Sequence, residues 1–181
     1  MLGIKGIKRI AVAVKDVDQA IENWKRLFDI KPFMRGDVPD DKYSFCAFHI
    51  GQSRGDDKVT IEFLAPLNDP DSTTLIGKFI KNKGEGIYMI TLETIGSSDE
   101  VDKQFEETGL ETSWGGHLKQ WVYTPEKPSP QGITSWTEHY INPKNANGVL
   151  CTLASIVYAD PVCVDTKNPG VTLFAKKRSQ K

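Results

Sequence analysis

What this sequence of 181 residues lacks narrows its function first. No apolar run approaches the roughly 18–20 residues that span a bilayer, so no membrane partner is expected. The start, Met1-Leu2-Gly3-Ile4-Lys5, carries neither the apolar core nor the cleavage site of a secretory leader, and the cytoplasm is the expected compartment. Cysteine is scarce: Cys46, Cys151 and Cys163 are odd in number and widely spaced. A disulfide framework or a Cys-based zinc site is therefore not expected, and buried free thiols are. The only histidines, His49, His117 and His139, form no local metal motif. Glycine-rich phosphate loops, a nucleophile elbow and a Cys/His pair are all missing. Positive charge is not in excess: Lys plus Arg total 23 against 24 Asp plus Glu, a net charge of -1. Such a chain cannot neutralise a phosphate backbone, so nucleic acid is excluded as an expected partner.

What is present is a repeated order of elements. Ile7 to Val14 alternates as a strand, with Ile10, Val12 and Val14 on one side and Arg9, Ala11 and Ala13 on the other. Asp16 then reads as a helix N-cap with Gln19 in the capping-box position. Val17, Ala20, Ile21, Trp24, Leu27 and Phe28 follow at helical spacing, and Pro32 is expected to stop the helix. Strands are expected at Phe33–Arg35, Tyr43–Ile50 and Lys58–Leu64. A turn-rich stretch from Asn68 to Ser72 leads into a short helix carrying Leu75, Ile76, Phe79 and Ile80, closed by Gly84. The pattern then restarts. Ile87 to Glu93 alternates as a strand, and Ser97 with Glu100 forms a capping box for a helix ended by Gly109. Further strands are expected at Gln120–Thr124, Thr137–Ile141 and Val149–Ser155.

This order predicts an α+β fold: residues 1–66 as a first βαβββ module, 67–86 as a linker helix, 87–157 as a second module and 158–181 as an irregular extension. Two modules per chain make intrachain pairing of the halves possible, and a homodimer is the other arrangement expected.

The segments Ile7–Ala20, Ile61–Leu67, Lys78–Ile87 and Asn142–Leu150 carry a resemblance to a known family. They resemble the vicinal-oxygen-chelate (glyoxalase-like) superfamily. Gly84-Glu85-Gly86-Ile87 and Asn142-Pro143-Lys144 look most like its methylmalonyl-CoA epimerase branch. The resemblance implies two modules curled into one largely antiparallel sheet, helices on the convex face and a small-molecule cavity on the concave one. Ile90 and Leu92 would then meet helices, while Met89, Thr91 and Glu93 would face the cavity.

In metal-using relatives, a histidine early in the first strand of each module and a carboxylate or glutamine on each last strand hold a divalent ion. Carried over position by position, those addresses fall on Arg9, Glu62, Met89 and Thr152. Only Glu62 is a credible ligand, because a guanidinium stays protonated and a thioether is too soft for such ions. No metal or other cofactor is therefore expected.

Two readings of Arg9 and Glu62 stand. They form a buried ion pair filling a defunct site, or Arg9 stabilises a substrate oxygen while Glu62 moves a proton. The second makes the chain an isomerase, epimerase or lyase acting on a carboxylate, carbonyl or CoA thioester. Met89, Thr91, Thr152, His117, Trp121 and Tyr123 would be substrate-binding. The alternatives are a non-catalytic, sequestering binder, and a metal enzyme whose ligands are shifted, with Glu62 joined by His49, His117 or His139. His49 is expected at a strand edge and His139 as a packed residue. The aromatic segment from Trp114 to Tyr140 either lines the pocket or pairs across two hairpin strands. Asn142 replaces the histidine usual before Pro-Lys. Lys144 is either a phosphate contact or a solvated turn lysine.

Overall fold

The computed structural model describes residues 2–50, 58–113 and 133–158, together with the backbone of 119–122. Among the described residues, eight strands and three α-helices follow in the order β1 (Ile4–Ala13), α1 (Val17–Phe28), β2 (Met34–Val38), β3 (Tyr43–Ile50), β4 (Val59–Pro66), α2 (Leu75–Lys83), β5 (Gly86–Thr94), α3 (Ser98–Thr108), β6 (Lys119–Val122), β7 (Ile133–Ile141) and β8 (Cys151–Tyr158). They form one sheet in the order β2-β3-β4-β1-β5-β8-β7-β6. The fold class expected from the sequence is the one observed.

The sheet's symmetry is internal. β1 runs parallel to β4 and β5 parallel to β8, and the remaining neighbours are antiparallel. The halves meet where β1 pairs antiparallel with β5, opposing Arg9 to Thr91 and Ala11 to Met89. Position 9 thus stands to 91 as 89 stands to 11. Ala11 opposes Glu62 on β4, and Thr91 opposes Thr152 on β8, so positions 62 and 152 are related in the same way. The question of how the halves pair is answered within one chain.

Helix boundaries follow local chemistry. The Asp16 carboxylate accepts the amides of Asp18 and Gln19 at 2.8 and 3.0 Å, which caps α1. Its end differs from the expectation. Asp29 turns left-handed at φ 49°, and its amide closes onto the Lys25 carbonyl, so α1 stops before Pro32 is reached. Strand β2 likewise begins at Met34 and not at Phe33. At α3 the capping box is complete: Ser97 and Glu100 each accept the other's backbone amide.

On the convex face, Val17 and Ala20 of α1 bury Cys46, Phe48, Ile61 and Phe63, with Ile10, Val12 and Trp24 against them. Trp24 meets Phe63 edge-on at 5.0 Å between ring centroids. Each large apolar side chain buried here contributes about 1.5–3 kcal/mol, which fixes the sheet's curl against the helix. In the second half, α3 buries Val101 and Phe105, and Phe105 stacks on His139. Those contacts commit the opposite side of every strand to the concave face.

Candidate functional site

Three strands from both halves bring one cation and two carboxylates together on the concave face. Arg9 comes from β1, Glu62 from β4 and Glu138 from β7. Arg9 Nη1 lies 3.3 Å from Glu62 Oε2, and Nη2 donates to Glu138 Oε1. The pairing expected between Arg9 and Glu62 is present. Glu138 was not anticipated as a partner, and it is the more deeply buried carboxylate, its side chain 1% exposed against 14% for Glu62.

Glu138 is well satisfied. Besides Arg9 it accepts the Trp136 indole N–H at 2.7 Å and a hydrogen bond from the Tyr140 hydroxyl. Trp136, Glu138 and Tyr140 are alternate residues of β7, so all three point to the same face. Trp136 also lies under the guanidinium, 5.5 Å from ring centroid to Arg9 Cζ. Burial and the nearby Glu138 carboxylate push the Tyr140 hydroxyl well above the ordinary phenol range. Burial alone would lower the Arg9 pKa, but Glu138 and Glu62 hold it above the ordinary guanidinium value. The guanidinium is charged at every accessible pH. Its Nε–H is buried without a hydrogen-bond partner among the described residues.

The other two addresses carry no charge. Met89 is buried among Ala11, Ala13 and Leu64. Thr152 donates to Thr91 Oγ1 at 2.8 Å, and both threonines are fully buried. A divalent ion needs several oxygen or imidazole donors converging on one point. Here one address is a committed cation, one a thioether and one a hydroxyl already engaged. These four addresses do not fit a metal ion, and no group of three or more His, Cys, Asp or Glu able to hold one occurs among the described residues.

The histidines fall apart spatially. His139 sits on the α3 face, its Nε2 2.9 Å from Asp102, so the packed role expected for it holds and it cannot join Glu62. β3 lies between β2 and β4, but β2 pairs with it only as far as Ala47, so His49 lies beyond the end of β2 and pairs on one side alone, with Thr60 of β4. His49 shares the concave face and stacks on Phe33 at 3.9 Å between ring centroids. Burial, Lys58 and Lys8 lower its pKa, which favours the neutral imidazole. His117 and Tyr123 lie outside the described residues. Trp121 lies on β6 in backbone register with Trp136 of β7. Asn142 caps a 3-10 turn at Pro143–Ala146 through the Lys144 amide, and Lys144 is exposed there.

Beside this triad lies a second charged set. Lys5 Nζ is 3.1 Å and Lys8 Nζ 3.6 Å from the Glu93 carboxylate, which also accepts the Tyr158 hydroxyl at 3.1 Å. Lys8 is the extra residue of a bulge in β1 facing β5, between the Ile7–Leu92 and Arg9–Thr91 pairs.

Among solved structures, a methylmalonyl-CoA epimerase in complex with methylmalonyl-CoA and ammonium is similar at 16% identity and a TM-score of 0.65, covering 84% of this chain and 95% of that one. The methylmalonyl-CoA epimerase of Mycobacterium tuberculosis is similar at 19% identity and a TM-score of 0.65, over 85% of this chain and 89% of that one. A hypothetical protein of Bacillus halodurans is similar at 22% identity and a TM-score of 0.62, over 82% and 92%. These likenesses establish the fold. No curated protein matches the chain. A family model described as the glyoxalase/bleomycin resistance protein/dioxygenase superfamily matches residues 8–117, most of the chain, and the paired half-sheets agree with it. The chain therefore belongs to the glyoxalase/bleomycin resistance protein/dioxygenase superfamily.

Proposed function

We propose that this chain is a small-molecule isomerase of epimerase type, moving a proton at a carbon next to a carbonyl without a divalent metal. The observation that carries the reading is the placement of Arg9. Its guanidinium stands at the address where relatives with histidine hold an ion, and it keeps one buried N–H without a partner among the described residues. A buried donor left unpaired costs about 1–3 kcal/mol in the free protein. An oxygen acceptor supplied by a ligand removes that cost on binding, and more so as the oxygen gains negative charge.

The two carboxylates take different roles. Glu138 already accepts three hydrogen bonds and is almost wholly enclosed, so it anchors Arg9. Glu62 is the more exposed carboxylate and makes the longer contact with Arg9, so it is the proton-transfer group. In the proposed reaction Glu62 takes the proton from the carbon, and the bonding pair moves into the carbonyl to form an enolate. Arg9 Nε–H stabilises the developing oxyanion. A solvent water protonates the enolate from the other face while Glu62 gives its proton back to solvent, which completes the epimerisation with atoms and charge balanced.

The fold shared with proteins crystallised with methylmalonyl-CoA supports an acyl thioester as the first substrate to try. The test is solvent-deuterium incorporation at the α-carbon of methylmalonyl-CoA, and then of other acyl thioesters, with metal-depleted protein. Incorporation that falls by about 10²-fold or more in Glu62→Gln is expected. A Glu62→Gln protein with undiminished exchange sinks the assignment of the base. Exchange that requires an added divalent ion sinks the metal-free mechanism.

A further inference from the structure

We infer that Glu138 is a specificity-determining residue: by holding one arm of Arg9, it makes the guanidinium accept an uncharged oxygen, such as a thioester carbonyl, and disfavours a carboxylate at that one position. This rests on the reading of Arg9 as the group that meets the ligand oxygen.

Two observations lead to it. The first is geometric. A carboxylate binds a guanidinium best through two adjacent N–H groups in parallel. Glu62 faces Nη1 and Glu138 accepts from Nη2, so of the three guanidinium nitrogens Nε is the one without an acceptor among the described residues. A carbonyl oxygen needs only that N–H, whereas a carboxylate bridging Nε and an Nη would have to share a nitrogen that already faces Glu62 or Glu138. The second is charge. Arg9 carries one positive charge against two carboxylates, so the cluster is net negative before any ligand arrives. Charge pairs in such poorly solvated surroundings interact strongly, and an incoming anion would become a third carboxylate around one guanidinium. Two further cations of β1, Lys5 and Lys8, are engaged with Glu93.

The position of Glu138 makes it the selector. It comes from the opposite half of the chain from Arg9, and its orientation is set by Trp136 as well as by Arg9. Glu62 cannot serve in that way, because it is exposed enough to move when a ligand enters.

The experiment uses an isosteric pair of probes, acetamide and acetate, on the full chain at neutral pH. The readout is the Arg9 Nε–Hε resonance by nuclear magnetic resonance. In the native protein acetamide shifts that resonance and acetate at equal concentration does not. In Glu138→Gln, which keeps an acceptor for Trp136, acetate affinity rises roughly tenfold or more, because one unit of like charge has been removed within contact range of Arg9. Acetamide affinity changes little. The Trp136 indole resonance shows whether the variant keeps its fold. Should it not, the native comparison alone decides. An Arg9 resonance shifted by acetate in the native protein, or by neither probe, overturns the inference. An acetamide shift without any deuterium exchange on thioesters would leave the selectivity standing and remove the proposed reaction, so the two failures can be told apart.

Discussion

Replacing Arg9 by methionine tests whether the two carboxylates depend on one cation. The side chain is 15% exposed and faces Glu138, at 1% exposure, and Glu62, at 14%. Methionine retains most of the volume and removes the charge. Glu138 then keeps Trp136 and Tyr140 as donors but loses its counter-ion, with a second carboxylate nearby. Breaking a buried pair in this way costs about 3–5 kcal/mol. With a urea m-value of about 2 kcal/mol/M, the midpoint should fall by roughly 2 M. Converting the carboxylates as well, in Arg9→Met/Glu62→Gln/Glu138→Gln, should recover most of that loss, because a neutral set of similar shape costs little relative to the ion cluster. Glu138→Gln alone should destabilise less than Arg9→Met, since Arg9 retains Glu62. The assay is equilibrium urea unfolding followed by tryptophan fluorescence and by far-ultraviolet circular dichroism, whose coincidence establishes two-state behaviour. If Arg9→Met shifts the midpoint by less than about a quarter of the expected 2 M, the carboxylates are solvated and the electrostatic argument fails with them.

Two further predictions concern stability. Thr152→Val removes the donor to Thr91 and leaves a fully buried hydroxyl, at a cost of about 1–3 kcal/mol, whereas Thr91→Val/Thr152→Val should be nearer to neutral; equal losses in the single and double variants by urea unfolding would refute the pairing. Asp69 accepts hydrogen bonds from the hydroxyls and amides of Thr73 and Thr74 ahead of α2, and those bonds hold its carboxyl well below the usual range. A depressed folded pKa stabilises above the unfolded value and loses that contribution as pH falls through the folded one. Thermal melts of native protein and Asp69→Asn should therefore differ at neutral pH and converge on strong acidification, and a gap that widens in acid would reverse the sign.

The fold was legible because its determinants are local. Strand alternation around Ile10, Val12 and Val14 and the caps at Asp16 and Ser97 each act within a few residues. The end of α1 was misread because Pro32 is the louder signal, yet a left-handed Asp29 stops the helix first. The Gly51 signal in the sequence put His49 near a strand end, and it does lie beyond the last β2 pair, at Ala47.

Glu138 escaped because its partner is 129 positions away and meets it only once the half-sheets join. The local pattern Trp136-Thr137-Glu138-His139-Tyr140 did hold a usable signal. Alternation puts Glu138 between two aromatic side chains on one face and His139 on the other. A carboxylate in an aromatic stripe requires a buried donor, and Arg9 was already an unusual cation on the cavity side of a strand. Joining the two demands would have predicted their contact.

The same contact changes the meaning of the departures from the metal-binding pattern. Arg9 replacing a histidine, taken alone, reads as loss of a site. A decayed site would have no need of a second carboxylate from the other half of the chain, held by an indole N–H and a phenol. Nor would it leave a guanidinium N–H buried without an acceptor among the described residues, since the burial cost of that group is offset only when something binds. Packing alone would favour apolar residues at all these positions. Thr91 and Thr152 show how a spent pair of polar positions can be closed, by bonding to each other. Arg9 has not been closed in that way, and on the proposed reading its buried Nε–H is the donor that a ligand oxygen would meet.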